Sequence, residues 1–265
     1  MRIARIAMQD ESVTLAVQQP GGALVRAAGN ILEQKVLVTD EPVVPKRWLP
    51  PLDPAAILCI GRNYAEHAKE GGADLPEYPV LFAKNPGAAH GHLDPIRIPS
   101  VCEDEVDYEG ELAVVIGRPA KNVSEEEAPH HIAGYMVAND VSARIWQQHK
   151  GGSQWVRGKS FDTFAPMGPF LVTPDEAPDV QNLGIRTLLN GQEMQTSNTR
   201  HMIFPIARLI SFLSQDTTLL PGTVILTGTP EGVGWFKEPR TLLHPGNTVA
   251  VEIEAIGTLE NPVGA

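Results

Sequence analysis

The sequence predicts an α+β, mostly β, architecture with few helices, arranged as a small strand-rich domain over residues 1–50 and a larger body over residues 55–265. Three observations predict it. Short β-branched apolar runs of strand length recur along the chain. The 24 Gly and 23 Pro punctuate those runs and keep elements short. Strands outnumber helices without strict β-α-β alternation, which argues against a doubly wound parallel sheet.

In the first 50 residues, Arg2 to Met8, Val13 to Val17 and Lys35 to Val38 are apolar runs separated by Gly and polar turns. Pro45 and the cluster Pro50-Pro51-Leu52-Asp53-Pro54 then read as a linker. Beyond it, strands are expected at Ile57 to Ile60, Val80 to Ala83, Glu111 to Ile116 and Ile132 to Ala138. Further strands are expected at Phe170 to Val172, Ile185 to Leu189, Thr223 to Leu226 and Thr248 to Ile253. The two best helices are Val141 to Gln148 and Phe204 to Ser214, with Pro205 allowed in the first turn of the second.

Bulk charge narrows the function. With 21 Lys and Arg against 32 Asp and Glu and no basic run, the chain lacks the footprint that a phosphate backbone demands, so no nucleic-acid partner is expected. An anionic small molecule is still allowed, because a metal and a few cations can reverse the sign inside one pocket. Cys59 and Cys102 have neither CxxC spacing nor a framework, which fits a reducing compartment. The start lacks an apolar leader and no run reaches the ~20 apolar residues of a membrane span, so a cytoplasmic protein without a membrane partner is expected.

The strongest chemical signal is Asp107-Tyr108-Glu109-Gly110-Glu111, which runs into LAVVIG. Residues two apart on a strand share a face, so Glu109 and Glu111 project side by side. Adjacent carboxylates repel unless they share a proton or a cation, and oxygen-only donors select a hard ion: Mg²⁺, with Mn²⁺ or Ca²⁺ as alternatives. A solvated strand face has the same pattern. Asp140 ends the next apolar strand as a third carboxylate, or as the cap of the expected helix. On that helix Asp140, Arg144 and Gln147 would share one face.

His67 and Glu70 are three apart, so on a helical turn the carboxylate would support the imidazole as a general base. An ordinary surface pair looks the same locally. Gly71-Gly72 after it is a natural hinge for a lid. Lys159, between Trp155 and Phe161, reads either as a partly buried cation facing an anion or as half of a structural ion pair. A phosphate loop is excluded because Ser153 stands where a Gly is needed. Thr229, in Thr227-Gly228-Thr229-Pro230, sits in a turn where its hydroxyl or N–H could hold a carboxylate, or which is simply a turn. His90, His92, His130 and His131 read as loop residues. No GxSxG elbow is present.

Six segments in order, ILCIGRNYAEHAKE, VDYEGELAVVIG, AGYMVANDVSARIWQ, GKSFDTFAPMGP, SNTRHMIFP and ILTGTPEGVG, resemble the fumarylacetoacetate hydrolase superfamily, and within it the small domain-containing proteins, from about Ile57 to Val263. The resemblance implies a mixed β-sandwich roll and a homodimer. It implies that Glu109, Glu111 and Asp140 ligate the metal, and that His67 with Glu70 forms the catalytic pair on a mobile lid. Arg144, Gln147, Lys159 and Thr229 match its substrate-holding positions. Ile145 departs from the acidic residue of many relatives, and the loop NPGAAHGH also differs. The expected chemistry acts on a small 2-oxo acid through its enolate. C–C hydrolysis of an acylpyruvate is ranked first, with oxaloacetate-type decarboxylation or keto–enol tautomerisation as alternatives. A non-catalytic, metal-stabilised binding protein is the reading from another class.

Overall fold

In the computed structural model, which describes residues 1–265, the chain opens with an antiparallel meander of β1 (Arg2–Ala7), β2 (Val13–Gln18), β3 (Leu24–Asn30) and β4 (Lys35–Pro42), followed by short β5 (Arg47–Leu49). The body adds β6 (Ala56–Gly61), helix α1 (Ala65–Glu70) and β7 (Val80–Lys84). After the short β8 (Ala89–His90), β9 (Ile96–Arg97) and β10 (Val106–Asp107) come two fully buried strands, β11 (Gly110–Ile116) and β12 (Ile132–Asn139). Then follow β13 (Ser142–Ala143), helix α2 (Val156–Lys159), β14 (Ala165–Val172), β15 (Gly184–Leu189), β16 (Gln192–Asn198), helix α3 (Ile206–Leu213), β17 (Thr223–Leu226), β18 (Thr248–Ile253) and β19 (Gly257–Gly264).

Most strands form one 12-stranded mixed sheet with the path β4-β3-β2-β1-β14-β12-β11-β17-β6-β7, to which β5 and β8 attach at β1 and β14. A five-stranded sheet, β16-β15-β18-β19-β9, packs against it, with β19 lying on β14 and β18 on β12. The N-terminal strands continue the large sheet, because Arg2 and Ile3 pair with Val172 and Leu171. No helix is long and apolar enough to cross a membrane.

The central strands are apolar along their length up to the polar site end because both of their faces are covered. On β11, Leu112, Val114 and Ile116 enter one core, and Ala113 and Val115 enter the other. On β12, Tyr135 and Val137 divide from Met136 and Ala138 in the same way. A strand buried on both faces reads as a continuous apolar run rather than an alternating one. Gly134 lies where β12 slips register against β11, and a Cβ there would stand 2.5 Å from the Val172 carbonyl oxygen and 3.0 Å from the Leu171 side chain. Gly134→Ala is therefore expected to cost about 1–3 kcal/mol by overpacking. A urea midpoint unchanged from the parent would contradict that.

The expected strands of the body are all present, β14 being longer than its apolar end suggested. The expected helix over Phe204 to Ser214 is α3, with Pro205 just ahead of its first turn. The expected helix over Val141 to Gln148 forms only from Arg144 onward, as a helical segment running to Lys150. Ser142 and Ala143 instead pair with Asp107 and Val106, the Arg144 N–H donates to the Glu105 carbonyl, and the helical residues Arg144–Lys150 widen to π-type geometry over Trp146–Lys150. Pairing with a distant strand overrides local helical spacing over the first residues, as β-branched Val141 and the short polar Ser142 readily permit.

Candidate active site

The register of β11 against β12 builds the centre of the site. Gly110 pairs with Asn139 and Glu111 with Ala138, so antiparallel geometry sets residues 109–111 opposite residues 138–140. The Asp140 N–H donates to the Glu109 carbonyl at 2.8 Å, and the Glu109 N–H to Asn139 Oδ1 at 2.9 Å, which locks the two strand ends together. Gly110 is required between the glutamates, because a Cβ there would stand 2.2 Å from Thr187 Oγ1 on the second sheet. The result is three buried carboxylates, Glu109, Glu111 and Asp140, with an oxygen from each within 4.8 Å of the others. Neither a solvated strand face nor a helix cap describes them.

Their surroundings are strongly cationic but fall one charge short. Lys159 donates 2.8 Å bonds to Glu109 and Asp140. Lys84 is paired with Asp140 and also donates to the Val141 carbonyl. Arg144 grips Asp107 through Nε and Nη2 at 2.9 and 2.6 Å, and reaches Glu109 and Gln147 through Nη1. Four buried carboxylates (Asp107, Glu109, Glu111 and Asp140) thus face three buried cations.

The titration shifts follow from this imbalance. Burial opposes the charge on Glu109, yet Lys159 and Arg144 outweigh it and hold the carboxyl well below its usual range. Glu111 has no cationic side-chain partner, only the Gly228 N–H at 2.7 Å; burial, with Asp140 and Glu109 beside it, pushes its carboxyl well up. Burial lowers the Lys84 ammonium against a single carboxylate, whereas Lys159, with two, is raised despite burial. An oxygen-only donor set with an uncompensated negative charge fits a hard divalent cation, whose arrival would neutralise the one carboxylate that lacks a partner. This buried triad could bind such an ion.

Above the carboxylates lies a cavity of about 390 Å³, lined by His67, Glu109, Glu111, Arg144, Gln147, Lys159 and Thr229, together with Arg62, Phe82, Trp155, Trp235 and Phe236. His67 stands on α1, its Nδ1 3.4 Å from Glu70 Oε2, a long contact of the kind that tightens when substrate binds. Both Glu70 oxygens also accept the Gly232 N–H, at 3.0 and 3.1 Å, which ties the helix to the 230–236 loop. Nε2 of His67 has no partner within the chain, and Phe236 covers the ring edge at 6.4 Å between centroids. Gly72, with φ of 67°, ends the segment where the hinge was expected.

The remaining expected residues converge on the same cavity. Arg144 and Gln147 meet three residues apart on the helical segment Arg144–Lys150, which Asp140 precedes rather than joins. Gln147 spends its oxygen on Arg144 and keeps its amide nitrogen free within the chain. The Thr229 hydroxyl has its proton committed, accepting from Gln195 Nε2 at 2.8 Å and donating to the Gly110 carbonyl at 3.0 Å. That leaves its backbone N–H as the group available to a ligand. Sequence reasoning missed Lys84 and Asp107. Asp107 continues the two-residue spacing of Glu109 and Glu111, a signal that could have found it; besides Arg144 it accepts the N–H groups of Tyr108, Gly234 and Trp235. Lys84 merely ends an apolar strand, and no local signal marks it.

Comparison with known proteins fits this geometry. The fumarylacetoacetate (FAA) hydrolase C-terminal family profile matches residues 56–264. The chain is 50% identical over 214 residues to the mitochondrial oxaloacetate tautomerase fahd2 of Xenopus laevis, covering 81% of this chain and 67% of that protein. Among solved structures it resembles 5-carboxymethyl-2-hydroxymuconate delta-isomerase from Mycobacterium smegmatis, at 40% identity and a TM-score of 0.83 over 100% of this chain and 98% of the other. It also resembles the fumarylacetoacetate hydrolase of psychrophilic Exiguobacterium antarcticum, at 34% identity and a TM-score of 0.86 over 100% and 99%. With the profile spanning most of the chain and the neighbours superposing over its whole length, the chain belongs to the fumarylacetoacetate hydrolase family of enzymes.

Proposed function

We propose that this enzyme moves a proton at the carbon beside the carbonyl of a small 2-oxo acid, interconverting its keto and enol forms or shifting a conjugated double bond, with a divalent cation of the Mg²⁺ type, Mn²⁺ or Ca²⁺ being alternatives. The observation that carries this reading is that the unpartnered Nε2 of His67, the Lys159 ammonium and the buried carboxylate cluster border one cavity. Two of the relatives, a tautomerase and an isomerase by name, support proton transfer. C–C hydrolysis, ranked first from the sequence, finds no specific support in those two names. It stands as the second reading, favoured by the hydrolase among the structural neighbours.

When bound to Glu109, Glu111 and Asp140, the cation supplies Lewis acidity toward the carboxylate and 2-oxo oxygens of the substrate. Nε2 of His67 takes the proton from the adjacent carbon, the C–H pair becomes the C=C bond and the carbonyl π pair moves to oxygen. The imidazolium then returns the proton to that oxygen, or to the far carbon of a conjugated chain. Glu70 holds the imidazole through Nδ1 and stabilises its charged form. Lys159 commits two N–H groups to Glu109 and Asp140 and has a third for the developing oxyanion. Most of the N–H groups of Arg144 are engaged by Asp107, Glu109 and Gln147, so it contributes chiefly charge and the placement of Glu109.

Enol-oxaloacetate absorbance should fall faster with protein plus Mg²⁺, with no change in product mass and with loss of the effect on chelation. Release of CO₂ or of cleaved fragments would sink the proton-transfer reading in favour of decarboxylation or hydrolysis. Metal without turnover of any 2-oxo acid would leave a binding protein. Independently, Mg²⁺ or Mn²⁺ at about a hundred times its Kd should stabilise the fold by roughly 2.7 kcal/mol, a melting shift of about 5–10 °C. If no divalent ion shifts the transition, the metal assignment is lost.

The chemistry is assigned to residues 55–265, since the proposed site lies between Arg62 and Phe236, with residues 1–50 an appended strand unit. Cys59 and Cys102 are free and buried, in keeping with a reducing compartment such as the cytoplasm. Exposed Leu75, Tyr78 and Leu81, the last on the edge strand β7, support the homodimer.

A further inference from the structure

Three Lys and Arg side chains line the cavity, and two are committed: Arg144 to Asp107 and Glu109, Lys159 to Glu109 and Asp140. The third, Arg62, is exposed at the cavity rim and has no carboxylate and no hydrogen-bond partner anywhere in the chain. Its guanidinium carbon lies 5.7 Å over the Trp155 ring, a cation–π contact that orients the side chain while leaving its N–H fork free for a ligand.

The backbone is built to keep it there. Arg62 takes a left-handed φ of 57°, uncommon for a long side chain. The turn is clamped by Asn63, whose side chain donates to the Phe204 and Thr227 carbonyls and accepts the Phe204 N–H. Gly61 completes the platform. A Cβ there would stand 2.4 Å from the Trp155 ring, so only glycine lets the indole lie against the strand end beneath the guanidinium. Phe82 props the same ring edge-on at 5.2 Å between centroids.

Resting on the proton-transfer reading above, we propose that Arg62 is the subsite for the distal carboxylate of a dicarboxylic 2-oxo acid, so that the enzyme selects diacids over monoacids of equal length. The planar fork of a guanidinium matches a carboxylate bidentately, and this is the one such fork in the cavity without an internal partner. The oxo-acid head lies at the carboxylate cluster, and the second carboxylate reaches the Arg62–Trp155 wall.

The test uses a non-enolisable pair that differs only there: 2,2-dimethyl-3-oxosuccinate, and 3,3-dimethyl-2-oxobutanoate, in which a methyl replaces the distal carboxylate. Binding to the Mg²⁺-loaded protein is measured by calorimetry. The parent should prefer the diacid. Arg62→Gln should weaken it about 10- to 100-fold, the loss of a charged hydrogen-bond pair, and leave the monoacid within about twofold. Arg62→Lys should recover part of the loss, and thermal melts should match the parent. Equal weakening of both ligands, no weakening of either, or no preference in the parent overturns the subsite. Turnover of oxaloacetate is scored separately: if the pair behaves as expected and no proton transfer is seen, the reaction fails and the subsite stands.

Discussion

Glu111→Gln is expected to abolish metal-dependent activity while leaving the metal-free fold at least as stable as the parent. Glu111 is the one carboxylate of the cluster without a cationic side-chain partner, and it is crowded by Asp140 and Glu109. Removing its charge relieves repulsion inside the protein and breaks no ion pair. The same change removes an anionic oxygen donor, so the melting shift on adding Mg²⁺ should vanish and turnover should fall by about 10³-fold or more, the loss of a major electrostatic contribution to the transition state. Glu109→Ala provides the contrast. It too should lose metal and activity, but it strips a buried partner from both Lys159 and Arg144, and breaking such pairs from one side costs roughly 3–5 kcal/mol. Metal titrations and urea melts on both variants decide the matter. If both unfold alike, or if Glu111→Gln still binds Mg²⁺ at parental affinity, the charge account of this centre is wrong.

His67→Ala is expected to divide the site in the other direction. The imidazole makes no ion-pair contact with the carboxylate cluster, so metal affinity and the metal-induced melting shift should be those of the parent. Turnover should drop about 10²- to 10⁴-fold, the range for loss of a general base. The loss should appear in kcat more than in KM, because the variant keeps the groups assigned to holding the substrate. Glu70→Gln should fall between parent and His67→Ala, since it keeps an acceptor for the Gly232 N–H but weakens support of the imidazole. Parental kcat in His67→Ala would remove the proposed base, and with it the proton-transfer route.

These two results probe parts of the site that differ in how far local sequence pointed to them. The period of two along a strand puts Glu109 and Glu111 on one face, and the spacing of three on a helical turn puts His67 beside Glu70; both pairs meet as expected. Asp140 was marked by its place at the end of an apolar run. Arg144 and Gln147 meet on a helical segment as expected, but Asp140 lies before it, because Ser142 and Ala143 pair with Asp107 and Val106. Lys84 was invisible because its partner Asp140 is 56 residues away. The fate of the Thr229 hydroxyl depends on Gln195, a residue of the other sheet.

The sequence by itself determined the mostly-β class, the strands of the body and the residue types at the centre, because apolar run length and side-chain period are local properties of the backbone. Only the tertiary structure decided which cations neutralise which carboxylates, that Glu111 is left without one, and that Arg62 faces the cavity unpaired. Those outcomes depend on strand register and sheet-to-sheet approach, where a slip of one residue turns every side chain to the opposite face, and no short stretch of chain encodes them.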